Sequence, residues 1–334
     1  MTLKFPSQIF QARSYLSLAG ALIIGAASLT APVNAHAVEE LHLLIPGGAG
    51  GGWDGTARGT GEALTKSGLV KTVSYENMSG GGGGKAIAHL IETADQADGT
   101  LMVNSTPIVV RSLTKVFPQS FRDLTPVAGI IADYQALIVA ADSKYKTWAD
   151  VVADLKANPR SVKIAGGSSK GSLDHLVPAA AAKAEGIDPR QVRYIPYDAG
   201  GKAMAALLGG ETELLSTGLG EALDMARAGQ VRILVNTAPA RVKAAPDVPT
   251  LKEVGNGTVF ANWRGYFGAP GLSKDKVNEY AELLAKMEET PEWETVRARN
   301  GWVNDYKAPA DFYTFLEQQE KDLGELMREL GFLQ

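Results

Sequence analysis

The feature that most restricts the fold is a rhythm. From Leu41 onward, short apolar runs alternate with segments of helical periodicity, and glycine-rich loops stand where a strand gives way to a helix. "LHLLIP" (Leu41 to Pro46) reads as a buried strand, after which Asp54 is placed to cap a helix running to Lys66, with Ala57, Gly61 and Leu64 on one face and Gly68 as its stop. "KTVSYE" reads as a second strand, "KAIAHLIETA" as a helix with Ile87, Leu90 and Ile91 at helical spacing, and "TLMVNS" as a third strand. Thr106-Pro107 then opens another helix, since proline is preorganised for the first helical position. Such a βαβα order predicts a parallel sheet with helices on its faces.

The rhythm pauses at "DLTPVAGIIADYQALIVAADS", an apolar run with turn residues inside it. It resumes with Thr147 and Asp150, spaced as a capping box for a helix through Ala157. Strands are expected at "SVKIA", "VRYIPY", "TELLS" and "VRILVN", with helices at "LDHLVPAAAAKAEG", "GKAMAALLGG" and "GEALDMARAG". "VFANWRGYFGAP" reads as one more strand, and amphipathic helical stretches follow to near Leu330. Two α/β units of this kind predict two lobes joined by crossing strands, with a ligand held where strand ends and helix starts face each other.

Residues 1–37 stand outside the pattern. They carry Lys4 and Arg13, no acid, and then "YLSLAGALIIGAASL", ending in the small-x-small sequence Ala35-His36-Ala37. This reads as a secretory signal cleaved after Ala37, the apolar run being too short for a spanning helix. The 334 residues contain no cysteine, so neither a disulfide nor a cysteine-linked lipid is available. The periplasm of a two-membrane bacterium is the compartment that retains such a protein. Loss of Lys4 and Arg13 takes the formal charge from −4 to −6, which argues against nucleic acid as a partner. An anionic guest would have to be held by local dipoles and a few placed cations.

"IPGGAGGGWDGTAR", beginning at Ile45, admits three readings. Gly50 to Gly55 matches G-x-G-x-x-G, and Glu76 lies where a dinucleotide fold places its ribose-binding acid. Pro46, the extra glycines and the second glycine run after Glu76 weigh against a nucleotide. That second run, "SGGGGGKA", departs from a phosphate loop at Ser79 and Ala86. The second reading is anion capture: glycines let successive backbone N–H groups converge on a guest, and a helix start adds partial positive charge. The third is that the glycines only make tight turns between packed layers.

Among the individual residues, Trp53 either walls the cleft or shields its loop. Ser168, Ser169 and Ser172 offer hydroxyls at a helix start, with Lys170 among them. "GSSKG" matches the nucleophile elbow G-x-S-x-G with Ser169 at its centre, but the only later histidine, His175, lies six positions on in the adjoining helix. His175 is better suited to orient the loop. Asp54 would repel an anion and suits a helix cap; Tyr197 can offer its phenol to a ligand. His42 and His89 have no metal-ligand spacing, so neither a metal nor a cofactor is expected.

"IPGGAGGGWDGTAR", "YENMSGGGGG", "GGSSKGSLDHL", "VRYIPYDAGGKAMAALLGGE", "APDVPTLKEVG" and "WRGYFGAP" resemble, in this order and spacing, the receptors of tripartite tricarboxylate transporters, also called Bug-type periplasmic binding proteins. The match runs over nearly all of residues 40–320. The resemblance implies a type 2 periplasmic-binding-protein fold, α/β, with two lobes and an interlobe ligand cleft. Lobe 1 would comprise 38–138 and 238–334, and lobe 2 139–237. It implies a monomer without catalytic residues that closes on a small organic polycarboxylate and delivers it to a carrier with one large and one small membrane subunit. The loop forms are closer to the tricarboxylate branch, so a citrate-like di- or tricarboxylate is expected; the rival is an exported hydrolase or isomerase using the same cleft. From lobe 1 the ligand would meet Gly47, Gly48 and Trp53, then Ser79, Gly80 and Gly81, with Thr106 at a further strand-to-helix passage. From lobe 2 it would meet Ser168, Ser169, Lys170, Gly171 and Ser172 with His175, then Tyr197 and Ser216.

Overall fold

The alternation read in the sequence becomes, in the computed structural model, a twisted mixed sheet flanked by helices; the structure describes residues 38–197 and 200–333. The signal sequence and its cleavage point lie outside the described residues. The chain runs β1 (Val38–Ile45), α1 (Gly52–Lys66), β2 (Val70–Asn77), α2 (Gly84–Glu92), β3 (Thr100–Ser105), α3 (Pro107–Leu113) and β4 (Thr125–Ala140). It continues through α4 (Trp148–Ala157), β5 (Lys163–Gly166), α5 (Leu173–Ala184), β6 (Arg193–Pro196), α6 (Gly200–Leu208), β7 (Leu214–Gly218), α7 (Leu219–Arg227) and β8 (Val231–Asn236). Last come β9 (Ala261–Gly268), α8 (Lys274–Glu288), α9 (Pro291–Asn300), β10 (Val303–Lys307) and α10 (Pro309–Glu329).

The strands follow the order β2-β1-β3-β9-β4-β7-β5-β6, with β8 and β10 also on β4. The expected parallel strands are present at both ends: β1 pairs in parallel with β2 and β3, and β5 with β6 and β7. All pairings of β4 are antiparallel. Its first part, Thr125 to Tyr134, lies against β9, and its last part, from Gln135, against β7 and β8. One strand therefore serves both ends of the sheet.

This corrects the pause read at Asp123 to Ser143. Pro126 and Gly129 do not break the strand, because register shifts against β9 fall between Pro126 and Ala128 and between Gly129 and Ile131. A bulge lets a residue without a ladder partner remain in an otherwise continuous strand. The apolar content of the run explains the outcome: Val127, Ile130, Ile131, Leu137, Ile138 and Val139 are all fully buried.

Buried side chains form two apolar clusters around β1, β3 and β9, and two more around β5, β7 and β8. The face predicted for α1 is the one that packs, with Ala57 and Leu64 fully buried and Gly61 turned against Tyr75. The capping box of Thr147 and Asp150 is formed as expected. Asp54, by contrast, is not the N-cap of α1; Gly51 holds that position and Asp54 sits in the first turn. Among the described residues no helix is long and apolar enough to cross a membrane.

Candidate functional site

The parallel order places the C-terminal ends of β1, β2 and β3, and with them the starts of α1, α2 and α3, along one edge. Two glycine loops shape that edge. Gly80, Gly81, Gly82 and Gly83 have φ of 141°, 55°, 66° and 102°, a succession that side-chain-bearing residues adopt only with strain. The Trp53 ring lies against Gly47 and Gly83, and its Nε1 donates to Ser105 Oγ at 2.9 Å, so the indole ties both loops to the end of β3. Asp54 Oδ2 accepts from the Gly50 N–H at 2.8 Å, while Oδ1 accepts from Arg58 Nε at 2.9 Å and Asn77 Nδ2 at 3.0 Å. Burial alone would raise the Asp54 pKa, but these hydrogen bonds hold it below the ordinary value. Asp54 thus fixes the loop as an ionised brace.

The β5–α5 loop carries Ser168 to Ser172. His175, in the first turns of α5, accepts the Gly171 N–H at Nδ1, 3.0 Å away. Its ring stacks on Tyr194 at 4.5 Å, and burial pushes its pKa down to about 4. The imidazole is therefore neutral and committed to shaping the loop, so His175 does not serve as a base for Ser169. Ser172 stands at the N-cap of α5 without a side-chain capping bond, and the Ser168 carbonyl accepts from Tyr194 Oη at 2.6 Å.

The β5–α5 loop meets α3. A crevice of about 30 Å³ is lined by Pro107, Val110 and Arg111 of α3 on one side and Ser169, Lys170, Gly171 and Ser172 on the other. Arg111 reaches across Gly82, where a Cβ would stand 1.4 Å from Nη1. Its guanidinium has no acid partner among the described residues, and burial pulls its pKa below the usual value. A half-buried cation left unpaired beside glycine loops and serine hydroxyls is fitted to accept a carboxylate.

Behind Thr106 lies a polar floor made by the middle strands. Asp133 and Gln135 project from the same face of β4, and Arg264 of β9 is paired with Ser105 and Ile131 in the sheet. Arg264 Nη2 is 3.6 Å from Asp133 Oδ2, and Gln135 Nε2 donates to Asp174 Oδ1 at 2.7 Å. Burial raises Asp133 to about 7 against the pull of Arg264, and burial with the charge of Glu221 raises Asp174 to about 6. The starts of α1, α6 and α7 converge here: a Cβ at Gly52 would be 2.6 Å from Arg264 Nη2, and one at Gly200 would be 2.5 Å from Glu221 Oε2. Among the described residues, the buried atoms Thr106 Oγ1, Asp133 Oδ1, Gln135 Oε1, Ser216 Oγ and Arg264 Nε have no hydrogen-bond partner.

Of the residues singled out from sequence, Gly47, Gly48, Trp53, Ser79, Gly80 and Gly81 belong to one neighbourhood, with Ser79 Oγ approaching Gly48. Thr106 and Ser216 are fully buried around the floor, and the Ser169–Ser172 loop faces α3. Tyr197 stands apart, its phenol donating to Glu211 Oε2 at 3.1 Å. Arg111, Asp133, Gln135 and Arg264 were not foreseen. Nothing local marks them; only the glycine that Arg111 crosses and the acid that Arg264 meets reveal their roles. A larger cavity, about 450 Å³, opens elsewhere beside Trp148, Glu185 and Pro249, away from every glycine loop at a helix start. Among the described residues no group of acids and histidines is placed to hold a metal.

Comparison with known proteins follows the same lines. Residues 56–332 match the tripartite tricarboxylate transporter family receptor. The chain is 27% identical over 326 residues to the UPF0065 protein in gbd 5'region of Cupriavidus necator, covering 96% of this chain and 97% of that one. Its fold is that of MatC from Rhodopseudomonas palustris with bound malate, at a TM-score of 0.74 and 21% identity over 86% of this chain and 99% of that one. An R. palustris protein with adipate superposes at a TM-score of 0.77 and 20% identity, over 88% of this chain and 97% of that one. Both likenesses show the α/β fold. The chain belongs to the tripartite tricarboxylate transporter receptor family, whose members are solute-binding proteins and not enzymes.

Proposed function

We propose that this receptor captures a small di- or tricarboxylate between two lobes, 38–138 with 238–334 and 139–237, and delivers it to a carrier of one large and one small membrane subunit. The chain reaches the periplasm through a signal peptide cleaved after Ala37 and acts there as a monomer. The observation that carries the reading is the Arg111 guanidinium, without an acid partner among the described residues, set across Gly82 and facing the Ser169–Ser172 loop. One carboxylate would be held by Arg111, Ser169 and the backbone N–H groups of the glycine loops, with Lys170 at the exposed rim. A second would meet the helix starts around Thr106 and Arg264. Backbone N–H groups at helix starts favour negative charge without a basic surface, which suits a net formal charge of −4 for the whole chain. The malate and adipate held by the two structural neighbours are of the same chemical class.

The test is a thermal-shift screen of the chain without residues 1–37 against citrate, tricarballylate, isocitrate, malate, succinate, adipate and aspartate. A ligand at about a hundred times its Kd stabilises the folded state by about 2.7 kcal/mol. The expected outcome is a rise in Tm with at least one acid, recovered unchanged afterwards. Failure of every carboxylate to raise Tm refutes the proposal.

A further inference from the structure

We infer that the guest carries a hydrogen-bond donor, a hydroxyl or an ammonium, beside one of its carboxylates, so that the ligand class is a hydroxy- or amino-polycarboxylate and not an unsubstituted one. The inference rests on the carboxylate-receptor reading and deepens it.

The argument comes from the floor. Gln135 is 2% exposed, and its amide is oriented by chemistry: Asp174 Oδ1 accepts at 2.7 Å, which requires the NH2 group on that side and leaves Oε1 on the other. Oε1 has no partner among the described residues, and a carbonyl oxygen can only accept. Two residues earlier on the same face, Asp133 is 4% exposed and its Oδ1 is likewise unpartnered, its Oδ2 being turned to Arg264. Arg264, 6% exposed, has an unpartnered Nε, a donor. The floor therefore offers one donor position, Arg264 Nε, and one fixed acceptor position, Gln135 Oε1, walled by the starts of α1, α5, α6 and α7.

A bare carboxylate complements only the donor. Set against Gln135 Oε1 it would bring two acceptors together, whereas a carbon bearing both a carboxylate and a hydroxyl or ammonium complements the whole row. The carboxylate meets Arg264 Nε, and the neighbouring donor meets Gln135 Oε1. Asp174 holds the other side of the Gln135 amide and Asp133 lies 3.6 Å from Arg264 Nη2, so acids flank the acceptor, and the donor of the guest can be an ammonium as well as a hydroxyl.

Calorimetric titration of the native protein with matched pairs tests this: malate against succinate, citrate against tricarballylate, aspartate against succinate. The expected result is a preference of at least about tenfold for a hydroxy or amino member over its unsubstituted partner, the consequence of leaving buried acceptors unmet. Malate and aspartate then tell hydroxyl from ammonium. Gln135→Met should bring that preference below about threefold by weakening the substituted acid alone. Equal binding within every pair overturns the inference and leaves the carboxylate receptor standing; binding of none overturns both. A preference that survives Gln135→Met also overturns it. Should that variant not fold, the pairs measured on the native protein decide the matter by themselves.

Discussion

Arg111→Met separates stability from binding more sharply than any other single change. The guanidinium is half-buried, crosses Gly82 closely and has no acid partner among the described residues, and the direction of its pKa shift comes from burial alone. A desolvated cation without a counter-ion opposes folding, so a methionine of similar length, which keeps the packing of the aliphatic stem, should leave the protein equally stable or more stable by up to about 1 kcal/mol. For a protein of this size that is a rise of at most about 2 °C. Binding should move the other way. A charge-assisted hydrogen bond to a carboxylate contributes about 1.5–3 kcal/mol, so affinity should fall roughly 10- to 100-fold. Arg111→Lys keeps the charge without the planar fork and should fall between. The assay is differential scanning calorimetry of the free proteins together with titration of the tightest acid from the screen. Affinity within twofold of the native value, or a Tm lowered by more than about 3 °C, would show that Arg111 is a packing residue and refute the reasoning.

Ser169 and Lys170 are exposed, so the double change Ser169→Ala with Lys170→Ala should weaken ligand binding and leave the ligand-free Tm within about 1 °C; unaltered affinity in calorimetry counts against the loop. Gly265→Ala places a Cβ 2.4 Å from Phe312 Cζ and 2.7 Å from the Ala128 carbonyl, which cannot swing aside, and chemical denaturation should show a loss of about 1–3 kcal/mol. His175, with its pKa pushed down to about 4 by burial, stays neutral in the fold, while the unfolded chain takes up a proton near pH 6.5. Its contribution is therefore intact above about pH 6.5 and is lost as pH falls toward about 4, amounting to about 2 kcal/mol between pH 7 and 5. Asp133, raised to about 7, acts in the opposite sense, so the quantity to measure is the difference between native protein and His175→Phe in urea unfolding at the two pH values. A difference that does not change between them removes His175 from the account.

The glycine loops and the parallel ends of the sheet were legible because they depend on local chemistry. Four successive left-handed residues after Ser79 require glycine, and the βαβ rhythm requires apolar runs at regular intervals. β4 was misread for a reason that is equally local: Pro126 and Gly129 are turn residues by propensity, and only the register against β9, more than a hundred residues on, turns them into bulges. The floor was invisible because Asp133 and Arg264 are 131 positions apart, and an isolated acid or arginine in a strand carries no mark of its partner. Asp54 was assigned to the right helix start in the wrong position. Two glycines can open a helix without any side-chain cap when an acid in the first turn reaches back, as Asp54 does to Gly50.

The sharing of β4 bears on how the polypeptide can be assembled. β1, β2 and β3 leave the ribosome early, yet β3 lacks its second neighbour until β9 is made, and β9 in turn needs β4 beside it. β7 and β8 both depend on the distal part of that same strand. No fragment ending before about residue 268 owns a finished sheet, and pairings so distant in sequence close slowly. A nascent chain of this topology cannot complete its sheet until most of the polypeptide has been made, so the last strands to be synthesised decide when the first ones gain all their neighbours.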